Sequence, residues 1–140
     1  MDLIEKKTSF NTTRYFTRSK PSIKKYEGEK YESELLLSDN VNRRDFGGLR
    51  YKNFYKTSLK DKPLISIITP NFKSPDLEKT IISVLKQEYE NLELIIIDAD
   101  SGEETVQILK KYEDQIDLWV SEKDNGLWDG WNKGLKFATG

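Results

Sequence analysis

The residues able to do chemistry in this sequence are carboxylates, amides, hydroxyls and lysines. There is no cysteine and no histidine. Disulfides, thiol nucleophiles, Cys/His zinc sites and every His-based triad are thereby excluded. Any metal would be bound by oxygen, which suits magnesium or manganese. Position singles out a few of the acids. Asp98 and Asp100 follow the apolar run 92–97, and Asp124 and Asp129 flank the Asn125-Gly126 turn. Asn132 and Lys133 lie shortly beyond, and Thr69, Pro70 and Asn71 end a second apolar run. Thr69, Pro70, Asn71, Asp98, Asp100 and Asp124 stand where, or soon after, an apolar segment stops, while Asp129, Asn132 and Lys133 lie within the last amphipathic stretch.

The segments that must position them read as alternating strands and helices. Residues 64–68, Leu-Ile-Ser-Ile-Ile, are a bounded apolar run of the kind buried on both faces of a parallel sheet. A helix starts at Ser74-Pro75 and places Leu77, Ile81, Val84 and Leu85 on one face. A second buried strand over 92–97 ends in Asp98. Such a β-α-β crossover is right-handed in nearly all proteins. Ligands sit beyond the carboxyl ends of its strands, so 69–73 and 98–102 are the first places to look for function. Ser101 and Glu104 have the spacing of a capping box, which starts a helix at Gly102 with Val106, Leu109 and Tyr112 inward. A third strand spans 116–120, and its end leads into the loop 121–126. The last helix, 127–139, gathers Leu127, Trp128, Trp131, Leu135 and Ala138 on one arc. Asp129, Lys133 and Lys136 lie opposite, with Asn132 at the border and Gly140 as a C-cap. On this reading the tryptophans belong to the core.

The fold class is therefore α/β, a Rossmann-like parallel half-sheet in the order β-α-β-α-β-α. No Gly-rich turn follows the first strand, which disfavours a dinucleotide fingerprint and a phosphate-binding P-loop. A phospho-acceptor receiver would use Asp98, but it would also want acids where Thr69-Pro70-Asn71 stand.

The 140 residues suffice for one domain, and the net charge of −1 conceals two halves. Residues 1–63 carry a balance of +6 and residues 64–140 a balance of −7. The chain divides into a basic, polar extension over 1–62 and a domain over 63–140. Residues 1–34 lack periodicity and read as loose. Residues 45–62 contain Tyr51, Phe54 and Tyr55 and read as packed on the domain. A basic arm could meet nucleic acid, an anionic membrane or an acidic partner. Its charges are dispersed, so it is expected to lie on its own acidic domain, with no nucleic-acid partner and with peripheral membrane association left open. No apolar run matches a membrane span and the first residues are not a signal peptide, so a cytoplasmic protein is the expectation. The glycosylation-type match at Asn11 then has no use.

Four stretches in order carry a resemblance. They are ISIITPNF, then SVLKQEYENLELIIIDADSGEETVQILKKY, then SEKDNGLWD, then NKG. Residues 45–140 resemble the amino-terminal half of a family 2 glycosyltransferase. Gly47-Gly48-Leu49-Arg50 and Lys62-Pro63-Leu64 resemble the lead-in of one of its subgroups. The resemblance implies the type A nucleotide-sugar transferase fold. It also implies a nucleotide-diphosphate sugar donor, a saccharide or lipid-linked acceptor, and a role in cell-surface polysaccharide synthesis. It places Thr69, Pro70 and Asn71 against the base and Asp98 near base and ribose. Ala99 stands where many members have a second Asp, with Asp100 one place further. Asp124, Asp129, Asn132 and Lys133 are implied to face the donor, and Lys133 could meet a phosphate oxygen. In the family, Mg²⁺ or Mn²⁺ is held by an Asp-x-Asp dyad on a later strand that these residues do not include. The chain is accordingly expected to be a truncated form without catalytic residues or transferase activity of its own. Its first strand is expected to be an exposed edge open to self-association. Plainer readings remain: Asp98 as a turn cap, Asp124 as a turn residue, Asp129–Lys133 as a surface ion pair. At the level of function, the alternatives are a non-catalytic nucleotide-binding or interaction module and an unrelated small α/β regulator.

Overall fold

A computed structural model describes residues 3–6, 8–10, 12, 14–21 and 33–140. Its elements are β1 (Ile4–Glu5), β2 (Tyr15–Phe16), β3 (Asp45–Gly47), a 3-10 turn (Leu49–Lys52), β4 (Ile65–Asn71), α1 (Leu77–Leu85), β5 (Leu92–Asp98), α2 (Glu103–Lys111), β6 (Leu118–Ser121) and α3 (Leu127–Phe137). β4, β5 and β6 are parallel, with Asn71 opposite Asp98 and Asp98 opposite Ser121. The alternating α/β reading therefore holds. The sheet has one strand more than the three apolar runs suggest. β3 comes from the basic half and pairs antiparallel with β6, giving the order β3-β6-β5-β4. A three-residue strand is too short to leave a periodic signal.

Strand position decides burial. β5 lies between neighbours and is buried at every residue. β4 is an edge strand, half-buried over most of its length, with Ile65 46% exposed. The expectation that the 64–68 run is buried on both faces fails for this reason. On one face, Leu77, Ile81, Leu85, Val106 and Leu109 of the two helices pack on Leu94, Ile96 and Trp119. On the other, Ile95, Ile97, Leu118 and Val120 meet Phe137, Leu37 and Tyr51. Each such aliphatic side chain contributes about 1.5–3 kcal/mol on burial.

α3 corrects the helical-arc reading. Leu127, Trp128, Trp131 and Leu135 are exposed, at 60%, 75%, 46% and 54%, and the buried residues are Gly130, Gly134 and Phe137. The helix approaches the sheet by its glycine side. A Cβ on Gly134 would overlap Ile68 Cγ2, and one on Gly130 would stand 3.3 Å from Pro70 Cβ. Two helix-interior glycines four residues apart share a face. Each costs about 1 kcal/mol of helix propensity, a cost that close backbone packing can repay. Gly140 is not the cap of this helix: Ala138 is, in extended geometry, and Gly140 N–H donates to Ser66 Oγ.

The lead-in is bound to the domain by charge. Arg50 pairs with Glu93 at 2.9 Å and Lys56 with Asp117 at 2.9 Å, all four side chains being at most 3% exposed. Arg50 also donates to Phe137 O. Burial pulls the Lys56 ammonium below its ordinary pKa and pushes the Asp117 carboxyl above its own. Burial would likewise raise Glu93, but Arg50, Ser66 and Thr139 outweigh it and hold that carboxyl low. Arg43 meets Glu122 in a nearly buried pair, and on the surface Arg44 meets Asp100 and Lys52 meets Asp114. The described start of the chain is not loose throughout. β1 and β2 form a ribbon, Thr17 bridges Tyr55, and Phe16 is 1% exposed. Expectations for residues 22–32 and for Asn11 lie outside the described residues.

Candidate functional site

The carboxyl ends of β4, β5 and β6 open into one cleft of about 530 Å³. Pro70, Asn71, Phe72 and Lys73 line it from the first chain segment, Ala99 and Asp100 from the second, and Lys123, Asp124, Gly126 and Leu127 from the third.

Asp98 is the knot beneath this cleft. It is fully buried and accepts from Asn71 Nδ2 at 2.8 Å, Ser101 N–H at 3.0 Å, Ser101 Oγ at 2.5 Å and Ser121 Oγ at 2.7 Å. Those four donors fill the lone-pair directions of a carboxylate. Asp98 therefore ties three strand ends together and has no oxygen left for a ligand. Ser101 is spent on this knot, and its Oγ also accepts from Lys73 N–H at 2.7 Å. That is why the capping box does not form: α2 starts from Gly102 with no side-chain cap.

Above the knot the loops are strained and partly open. Lys73 and Asp100 adopt left-handed backbones, φ 48° and 53°, a conformation that costs about 1 kcal/mol or more for a non-glycine residue. Asp100 accepts from Arg44 Nε at 2.5 Å. That bond and the attraction of Asp100 raise the Arg44 pKa above its ordinary value. Asp124 Oδ1 accepts from Gly126 N–H at 2.9 Å, closing the turn into α3. Asp129 Oδ2 accepts from Asn125 N–H at 2.9 Å, which, with the nearby Lys133 ammonium, holds its carboxyl below the ordinary range. Lys133 Nζ donates to Lys123 O at 3.0 Å and stands 3.6 Å from both Asp129 and Glu122.

The structure thus brings Pro70, Asn71, Asp100 and Asp124 to one cleft. Thr69 lies one residue deeper in β4, and Asp98 lies below. Asp129 and Lys133 brace the third loop from the side, and Asn132 is exposed on α3 away from the lining. Phe72, 64% exposed, together with Lys73 and Lys123, completes the lining. Phe72 and Lys73 lie within the 69–73 stretch that the strand end pointed to, though neither was singled out by itself; Lys123 was not selected, and its place just past a strand end was the signal available. The cleft offers an aromatic face, carboxylates that accept N–H or O–H groups, and two lysines for anions. It does not fit a resident divalent cation. Among the described residues no three acidic groups converge, and Asp98 is saturated by its four donors.

An open, mostly parallel α/β sheet with its cleft at the strand ends is the general form of a nucleotide-binding half-domain. The model of glycosyl transferase family 2 matches residues 66–140, and the chain belongs to that family. It is 39% identical over 80 residues to an uncharacterized glycosyltransferase of Mycobacterium tuberculosis, covering 56% of this chain and 30% of the relative. It is 39% identical over 83 residues to a Bacillus subtilis glycosyltransferase assigned to teichuronic acid biosynthesis, covering 56% and 33%. To the Escherichia coli UDP-Glc:alpha-D-GlcNAc-diphosphoundecaprenol beta-1,3-glucosyltransferase it is 37% identical over 82 residues, covering 57% and 32%. The chain thus spans about a third of the length of these curated relatives. No solved structure matches it. Among the described residues no helix is long and apolar enough to cross a membrane.

Proposed function

We propose that this chain binds a nucleotide-diphosphate sugar in the cleft over β4, β5 and β6. The activity it serves is sugar transfer to a saccharide or lipid-linked acceptor in surface-polysaccharide synthesis. One observation carries the reading: the cleft lies wholly within the residues that the family model matches. In this reading Pro70 and Phe72 face the base, Asp100 and Asp124 accept from base or ribose, and Lys73 and Lys123 meet the diphosphate. Asp98, Asp129 and Lys133 hold the loops. The Escherichia coli relative is named for glucosyl transfer to an undecaprenol-linked acceptor, which supports the acceptor class. The proposed setting is the cytoplasm, with peripheral contact to the membrane that would carry such an acceptor.

Calorimetric titration of the chain with a panel of uridine- and guanosine-diphosphate sugars tests this. Saturable binding of one donor class is expected. Because the described carboxylates make no divalent site, that binding should persist when Mn²⁺ is withheld. The absence of binding to every member of the panel, with and without Mn²⁺, would overturn the reading.

A further inference from the structure

We infer that Arg44 is a positioning residue of this cleft: it holds Asp100 so that one carboxylate oxygen is presented to a hydroxyl or N–H of a bound nucleotide. The inference rests on the nucleotide-binding reading above.

Arg44 lies outside the residues matched by the family model. Its place is set by β3. Arg44 N–H donates to Ser121 O at 2.9 Å, one step beyond the Asp45–Ser121 pair, so the residue stands at the carboxyl end of β6. From there its side chain crosses to the next loop and reaches Asp100 Oδ1.

Asp100 is unusually constrained. Ala99 N–H is held by Asn71 O at 2.9 Å, and Ser101 N–H and Oγ are held by Asp98. With both flanks pinned, the left-handed backbone at Asp100 cannot relax without breaking the knot beneath it. Strain of this kind persists where the surroundings over-determine it, and it gathers at binding sites. What the backbone leaves free is the direction of the carboxylate, and Arg44 sets that. Only Oδ1 is engaged among the described residues, while Asp100 lines the cleft at 23% side-chain exposure. Oδ2 therefore keeps its acceptor capacity. A carboxylate accepts only from donors, and the donors of a nucleotide are its ribose hydroxyls and base N–H groups. Arg44 has a second effect. It offsets the charge of Asp100 beside a site proposed to take a diphosphate.

The test titrates the full 140-residue chain with the donor it binds best, for the wild type, Arg44→Gln, Asp100→Asn and the double variant. Each single substitution should weaken binding about tenfold, the size of one lost charge-assisted hydrogen bond. If Arg44 works through Asp100, the losses should not add, and the double variant should bind like Asp100→Asn alone. Arg44→Lys keeps the charge without the planar fork and should recover part of the loss. Asp100→Gly accommodates the left-handed backbone without a side chain, so it should fold and bind as weakly as Asp100→Asn. Arg44→Gln binding like the wild type, or losses that simply add, would overturn this inference and leave nucleotide binding standing. Should the wild type bind no nucleotide, the parent reading and this inference fall together.

Discussion

Two acids stand near opposite ends of β5, and they are buried by different means. Glu93, at the amino end, is 1% exposed and faces a full cation, Arg50, itself 3% exposed. It also receives Ser66 Oγ, Thr139 N–H and Thr139 Oγ1, so it collects the lead-in, β4 and the exit of α3. Asp98, at the carboxyl end, has no cation in contact among the described residues. Its donors are one amide, two hydroxyls and one backbone N–H. Taking a partner from a buried ion pair leaves an uncompensated charge, which resists any opening. A carboxylate among neutral donors can lose one bond and keep the others. The amino end of the sheet is thus locked and buried, and the carboxyl end is tied yet open above the knot. The proposed binding site lies at the second kind of end, where loops can lose one contact and keep the rest.

The largest expected effect is at the locked end. Glu93→Ala strands Arg50 and should cost about 3–5 kcal/mol, read as a fall in urea midpoint with nucleotide affinity unchanged in whatever fraction stays folded. Intact stability would show that the ion pair is not a lock. Acid should act on the same group. A carboxyl held below the ordinary value of 4.5 contributes stability that is complete above that pH and is lost as pH falls through its lower folded value. Urea midpoints should drop on acidification in that range, and Glu93→Gln should flatten the drop.

Asp98→Asn is the matching change at the open end. The new amide turns one acceptor into a donor facing donors, so about 2 kcal/mol of stability should go, with a clear loss of nucleotide affinity as the loops untie. Affinity lost without stability would mean that Asp98 touches the ligand after all. Between the two ends, Gly134→Ala drives a methyl into Ile68. The helix-propensity gain should not cover the overpacking, and a net loss of about 1–2 kcal/mol in thermal unfolding is expected. A stabilised variant would refute the glycine-side docking of α3. The smallest effect belongs to the exposed pair Trp128 and Trp131, whose rings stand 5.8 Å apart. Replacing both by Ser should move stability by no more than about 0.5 kcal/mol each. A large loss would put the apolar arc back in the core.

Several of these features were legible in the residues themselves. The bounded run ending at Asp98, the 3.6-residue spacing of Leu77, Ile81, Val84 and Leu85, and the turn at Asn125-Gly126 lay out three parallel strands with their crossovers. The ends of those strands point to the cleft, since in such sheets the ligand side follows from chain direction. Local pattern misled where two local options were both sound. Ser101 could cap a helix or bind Asp98, and the capping spacing cannot show that Asn71 and Ser121 converge on the same carboxylate. The α3 wheel has an apolar side and a glycine side, and hydrophobicity alone picks the wrong one.

Chain order and hydrophobic period alone determined three parallel strands with helical crossovers whose polar ends share one side of the sheet. Only the tertiary structure decided which acids face that cleft and which are sealed beneath it. It also decided that Arg44 and Arg50, far from the acids in sequence, are their partners. The reason is range. Periodicity reports what lies within a few residues along the chain, while the charge and hydrogen-bond partners of Glu93, Asp98 and Asp100 are brought to them by other strands and by the lead-in.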